Sequence, residues 1–464
     1  MSIDIPFTRR RFLAAAAAAG AAVGGGALLD WALDGGPGTP AAASVTSNGP
    51  LVVITLYGGN DGLNTVVPYE DPRYQAARPT LGYTPSEVLD LGDGLGLNPR
   101  LGGLHGLWRT GKLAIVRGVG YPNPNLSHFA SMDIWQTANP VDGSGPGWLG
   151  RWLDRNPADP LLALSVGTTL PPLLRGSRRS ATAITSSRIA LPGSAVFQSA
   201  FEALQASGSD RSALAAAVAA AGSDLLAAKT GLDRLAVRGP APAAGSSESR
   251  TGSAPGNGSV PAIGTAPATG TAPATGTAPA AGSGPAIGSA PPAASPPAGS
   301  PSGGRRAATT GLTAQLEMVA GLIRAGSPTK VYQVSLSSFD THSAEKANHE
   351  RLLGELDSGI TGFFDALGGH RAVVMTYSEF GRRPEENASG GTDHGTAAPL
   401  FVAGEGVIGG RFYGEEPSLG ALDANGNLQH TVDFRSVYAT VLERVLGSDS
   451  APVLGGRFPT VPLV

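Results

Sequence analysis

Apolar residues along this chain gather into short unbroken runs instead of alternating with polar ones. Six runs have the length of a strand: LVVITLY (51–57), LAIVRGV (113–119), LLALSV (161–166), KVYQVSL (330–336), RAVVMTY (371–377) and PLFVAG (399–404). A strand apolar on both faces is buried on both, the habit of parallel sheets covered by helices. Helical patterns or long loops separate the runs. In SAEKANHERLLGELDSGITGFFDALGG, Leu353, Leu356, Ile360, Phe363, Phe364 and Leu367 fall on one helix face. TGLTAQLEMVAGLIRAG does the same with Leu312, Leu316, Val319 and Ile323, and DRSALAAAVAAAGSDLLAAKTGLDRLAV has helical spacing. The alternation predicts an α/β fold, with a mostly parallel central sheet and helices on both faces.

Two segments break the pattern. The chain opens with Arg9, Arg10 and Arg11, continues with a run rich in Ala and Gly, and reaches small residues suited to cleavage after Ala43. TRRRFL is similar to the twin-arginine consensus, which implies an export signal over 1–43 and delivery by the twin-arginine machinery to the periplasm, the cell surface or the medium. From 239 to 306 the sequence is a Pro/Ala/Gly/Ser/Thr tract containing the repeat GTAPATGTAPATGTAPAA. Such a composition buries too little apolar surface to offset its ordering entropy, so disorder is expected. The tract then reads as a loop insertion between two helices, with 44–238 and 307–464 as the two parts of one α/β domain.

Composition narrows the function classes. There are no cysteines, which excludes disulfides, thiolate-bound zinc and thiol catalysis. The net charge of −3 comes with scattered basic residues, so no nucleic-acid partner is expected. No segment after the leader is long and apolar enough to predict a membrane span in the mature chain.

Polar clusters follow four of the six runs, where ligands sit in open α/β sheets. Asn60 and Asp61 follow the first, and Ser127 and His128 the second. Asp340, His342 and His349 follow the fourth, and Glu379, Arg382, Asp393 and His394 the fifth. Asp340 and His342, two apart on an extended segment, point the same way and suit one metal ion. Each cluster also has a plainer reading. Asp61 stands in a turn sequence, Ser127 or Asp340 or Ser343 suits a helix cap, and Glu379 suits an ion pair with Arg382 or Arg383. His128 suits packing against Trp135 or the core, and His349 a core histidine; His105, His370 and His430 have no partner pattern. No G-x-S-x-G elbow, P-loop or dinucleotide fingerprint stands in the required strand–helix context.

Taken in order, LYGGNDGLNTVVPYEDPRY, the 97–137 stretch through GYPNPNLSHFASMDIWQT, GWLGRWLD, FDTHSAEKANH and YSEFGRRPEENASGGTDHG resemble the exported bacterial proteins grouped as domain of unknown function 1501. That group looks related to the alkaline phosphatase and sulfatase superfamily. The resemblance implies an alkaline-phosphatase-like domain with Asp61, Asp340, His342, Glu379 and His394 as metal ligands. It further implies Ser127 as nucleophile, Arg382 as partner of an anionic ester, and one or two ions of Zn, Mn or Mg. Asp340 and His342 are two apart where the phosphatases have a four-residue spacing, and Ser378-Glu379 replaces an Asp-His pair. Two functions are therefore carried forward. One is an exported metal-dependent hydrolase of small phosphate or sulfate esters; the other is a non-catalytic exported protein keeping the fold with at most a structural metal.

Overall fold

Leu51–Leu56 (β1) is buried at every position and forms the middle of the sheet, as a run apolar on both faces requires. We describe the chain from a computed structural model over residues 48–191, 194–206, 212–238 and 311–464. The expected export signal over 1–43 and the tract 239–306, expected to be disordered, lie outside these residues. Small strands follow β1 at Val66–Val67 (β2), Leu89–Gly92 (β3) and Leu95–Leu97 (β4), and they pair among themselves. The main sheet continues with Leu113–Gly120 (β5), Ala163–Val166 (β6), Thr182–Ile184 (β7), Val331–Leu336 (β8) and Val373–Ser378 (β9). Arg382–Glu386 (β10) and Thr392–His394 (β11) form a separate hairpin. Ala398–Gly404 (β12), Arg411–Tyr413 (β13) and Val432–Asp433 (β14) complete the main sheet.

The order is β13-β5-β12-β9-β1-β8-β6-β7, with β14 also on β5. Strands from both sides of the tract pair directly: β1 lies parallel to β8 and to β9, with Leu56 level with both Leu336 and Ser378. All six apolar runs are strands of this sheet. One direction differs from the sequence expectation, since β12 runs antiparallel to both β9 and β5. The reason is the connection. Between β9 and β12 lies only the β10–β11 hairpin, and a parallel neighbour needs a crossover.

Both faces are covered. Val52, Ile54 and Leu56 of β1 join a core with side chains of helices Gly102–Arg109, Ala213–Arg238, Leu312–Arg324 and Glu345–Ala366. Leu51 and Val53 join the opposite core with helices His128–Thr137, Trp148–Arg155 and Phe434–Thr440. Each fully buried aliphatic side chain contributes ~1.5–3 kcal/mol. The expected face of helix 345–366 is buried at Leu353, Leu356, Ile360, Phe363 and Leu367, with Phe364 packed at its margin. No helix among the described residues is long and apolar enough to cross a membrane.

Because β1, β5, β8 and β9 all point one way, the loops after their carboxyl ends share one edge of the sheet.

Candidate metal centre

Two glycines let the loops on this edge touch. Gly58 has φ +120°, and a Cβ there would lie 2.4 Å from the backbone nitrogen of Asp340. Gly391 would place a Cβ 2.3 Å from the carbonyl carbon of His342. Only a residue without a side chain brings the loop after β1 and the β10–β11 hairpin against residues 339–342.

Arg382 ties these loops together from inside. Its side chain is fully buried, and it donates from Nε to Gly59 O (2.8 Å), from Nη1 to Thr392 O (3.0 Å), and from Nη2 to Phe339 O (3.0 Å), Gly58 O and Asp340 Oδ1 (2.7 Å). Each guanidinium nitrogen donates to a protein oxygen and the side chain is fully buried, so Arg382 orients Asp340 and is closed to an outside anion.

Asp340 stands half-exposed where three imidazoles converge. His394 Nε2 is 3.2 Å from its Oδ1, His342 Nε2 is 3.1 Å from the same atom, and His128 Nε2 is 3.4 Å from Oδ2. His394 Nδ1 lies 2.8 Å from Leu126 O. A carbonyl oxygen only accepts, so Nδ1 carries the hydrogen and Nε2 of the neutral ring is bare. The neutral state is favoured, because burial pushes the His394 pKa down and the charge of Arg382 adds to it, outweighing Leu126 and Asp340. His128 repeats the pattern, with Nδ1 2.9 Å from Glu379 Oε1, an oxygen that also accepts the Gly58 N–H at 2.8 Å. In the neutral form of this ring, Nε2 is then bare as well.

With both rings neutral, two lone pairs aim at a carboxylate that has its own. Burial pushes Asp340 up, but the hydrogen bond and charge of Arg382 outweigh it and hold the carboxyl below the usual carboxylate range. The ligand atoms of His128, Asp340 and His394 all lie within 4.8 Å of one another. Acceptors facing acceptors repel unless a cation or a proton stands between them. Imidazoles held by acceptors at Nδ1, with a carboxylate alongside, are the donor set of zinc- or manganese-type sites. His342 sits beside them, with Nε2 3.0 Å from His394 Nε2 and Nδ1 3.4 Å from Asp393 Oδ1.

A second group lies apart in the interior. Asp61, Glu345 and His349 offer ligand atoms within 4.8 Å of one another and are essentially sealed from solvent. Arg78, also buried, donates to both carboxylate oxygens of Asp61, at 2.9 Å from Nη2. Burial pushes Asp61 up, yet the charge and hydrogen bonds of Arg78 reverse this and hold it low.

The sequence-predicted residues thus divide. Asp340, His342 and His394 meet at the rim. Glu379 is buried behind His128 and orients it. Asp61 belongs to the interior group, since Arg78 has claimed it. Ser127 is exposed just before helix 128–137, and its hydroxyl makes no cap bond and no other hydrogen bond among the described residues. Arg382 is interior. Neither Asp340 nor Ser343 caps helix 345–366, whose cap Ala344 makes no side-chain bond. His128 packs on Phe380 and His394, with ring centroids at 5.0 and 4.4 Å, and not on Trp135. Sequence reasoning gave His128, Arg78 and Glu345 no site role. The only signals were the place of His128 directly after a strand-end loop and the i,i+4 spacing of Glu345 and His349 on one helix face.

No curated protein matches this chain. Residues 265–455 match the family model described as "Protein of unknown function (DUF1501)", a stretch that holds Asp340, His342 and His394, and the match supports placing this part of the chain in that domain family.

Proposed function

We propose that the chain is an exported, metal-dependent hydrolase of small phosphate or sulfate esters, built on an alkaline-phosphatase-like domain, with one divalent cation at the rim. His128, Asp340 and His394 would hold the ion, and His342 would join once its Nδ1 donates to Asp393. The single observation that carries this reading is the convergence of two Nε2 atoms, each on a ring whose Nδ1 faces an acceptor, on one carboxylate. A bound zinc, manganese or magnesium ion supplies Lewis acidity, which acidifies a nearby hydroxyl and draws charge from an anionic ester.

The chain's own residues supply the rest. Ser127 directly precedes the ligand His128, and its free hydroxyl suits a nucleophile. Helix 128–137 turns its positive end toward the same place, which suits an anionic group now that Arg382 is spent inside. Phe380, its ring 4.7 Å from that of His394, walls the imidazoles from below.

The same burial of Arg382 favours a second reading, a non-catalytic exported protein in which the ion only clips the strand-end loops together. Metal analysis of the purified mature protein and assays on aryl phosphates, phosphodiesters and sulfate esters separate the two. Turnover that requires the ion and disappears in Ser127→Ala supports the hydrolase. A bound ion without turnover on any ester leaves the clip.

A further inference from the structure

Counting charge in the interior group shows a shortfall. Arg78 contributes one positive charge and Asp61 one negative, and with Glu345 ionised the sealed pocket would hold an uncompensated negative charge. The hydrogen bonds show the same gap. Glu345 Oε2 accepts the Thr392 hydroxyl at 2.7 Å, but Oε1 finds no donor among the described residues. His349 cannot supply one. Its Nε2 lies 2.9 Å from Asn60 Oδ1, the amide being fixed by Nδ2 reaching Thr65 Oγ1 at 3.0 Å, so Nε2 carries the hydrogen and the buried Nδ1 is bare. Burial, the first cause, holds His349 down at about 4, with Arg78 and Arg382 adding to it against Asp61, so the ring is neutral.

A divalent ion would overshoot the balance by one charge, and a proton meets it. We propose that Glu345 keeps a proton at neutral pH and donates it from Oε1 to Asp61, making Glu345 a positioning residue for the rim site. Its role at the rim rests on the metal reading above. The connections run outward by two routes. Through Thr392, Glu345 holds β11, which carries His394, and Thr392 O accepts from Nη1 of Arg382, whose Nη2 fixes Asp340. Through its backbone N–H, at 2.9 Å from Gly390 O, it holds the turn of the same hairpin.

The charged and titratable groups facing Glu345 agree with this placement. Burial raises its pKa, Asp61 raises it further, and Arg78 and Thr392 oppose without reversing it. His349 is neutral, and Arg382 faces the same space from β10. Because the folded-state pKa stands above the unfolded one, the proton's contribution to stability is complete below the ordinary carboxylate range. It is lost progressively as pH climbs toward the folded value, which is about 9.

The experiment compares Glu345→Gln, which mimics the protonated carboxyl at every pH, with Glu345→Ala. Melting curves of the metal-free full chain between pH ~6 and ~9 read the proton, and titration with Mn2+ at neutral pH reads the rim. Glu345→Gln should gain several °C on the wild type across that pH range. It should bind Mn2+ within about twofold of the wild type, whereas Glu345→Ala binds ~10–100-fold more weakly. Melting curves in which Glu345→Gln tracks the wild type at every pH, or a Glu345→Gln variant that binds as poorly as Glu345→Ala, overturn the proposal. Two ions per wild-type chain falling to one in Glu345→Gln overturn it too, by putting a cation where the proton is placed. A wild type that binds no ion removes the rim reading, and the melting curves still decide the proton.

Discussion

The rim and the interior are built from the same residue types, yet their surroundings give them opposite chemistry. At the rim, His128, Asp340 and His394 are partly open to solvent, and each imidazole has an acceptor behind it at Nδ1 and turns its Nε2 to the carboxylate. In the interior, Asp61 has both oxygens on Arg78 and a sealed neighbour in Glu345. The rim turns imidazole nitrogens and a carboxylate toward one reachable point, so it suits a cation from outside. The interior is one charge short and closed, so it suits a proton. Composition alone does not separate a binding site from a structural lock; the direction of the lone pairs and the nearest arginine do.

Mutations at the two places should therefore fail differently. The largest effect on the fold is expected from Asp61→Ala, which strands a buried Arg78 charge and should cost ~3–5 kcal/mol in denaturant unfolding. Asp340→Asn should keep the Arg382 bond and cost under about 1 kcal/mol, as expected near the surface, while abolishing ion binding. If the two variants lose equal stability, the contrast between rim and interior fails. Next come His128→Ala and His394→Ala, each removing a ligand. By titration calorimetry either should weaken divalent binding by more than the ~10–100-fold typical of an orienting residue. Glu379→Gln belongs to that orienting class and should lose about tenfold, since it only turns the His128 ring; a loss as large as that of His128→Ala would make Glu379 a ligand. The smallest effect concerns acid. Asp340 titrates lower in the folded than in the unfolded chain, so its contribution is present above about pH 4 and fades as pH falls toward 2. Asp340→Asn should flatten that limb of the acid-unfolding curve slightly, because the carboxylate is half-exposed and well screened.

The six strands were legible because burial on both faces leaves an unbroken apolar run, and helix 345–366 because its stripe repeats at helical intervals. The hairpin RRPEE and TDH was not, since short polar strands with a proline carry no period. The direction of β12 was recoverable from the missing crossover helix, a topological clue and not a compositional one. At the site, the i,i+2 spacing of Asp340 and His342 led to two groups that do meet, and His394 joined them. Asp61 escaped the reading because its partner, Arg78, stands on a different loop with no motif to announce it. His128 was passed over because what gives it a role is Glu379, brought to its Nδ1 only by the pairing of distant strands.

The central claim is that the rim imidazoles and Asp340 share one cation. Titration of the metal-free chain with Zn2+ or Mn2+, alongside the double variant His128→Ala/His394→Ala of unchanged melting temperature, tests it most directly. The account predicts one ion per wild-type chain and none in the double variant. A wild type that binds nothing, or a double variant that binds as tightly, would contradict it.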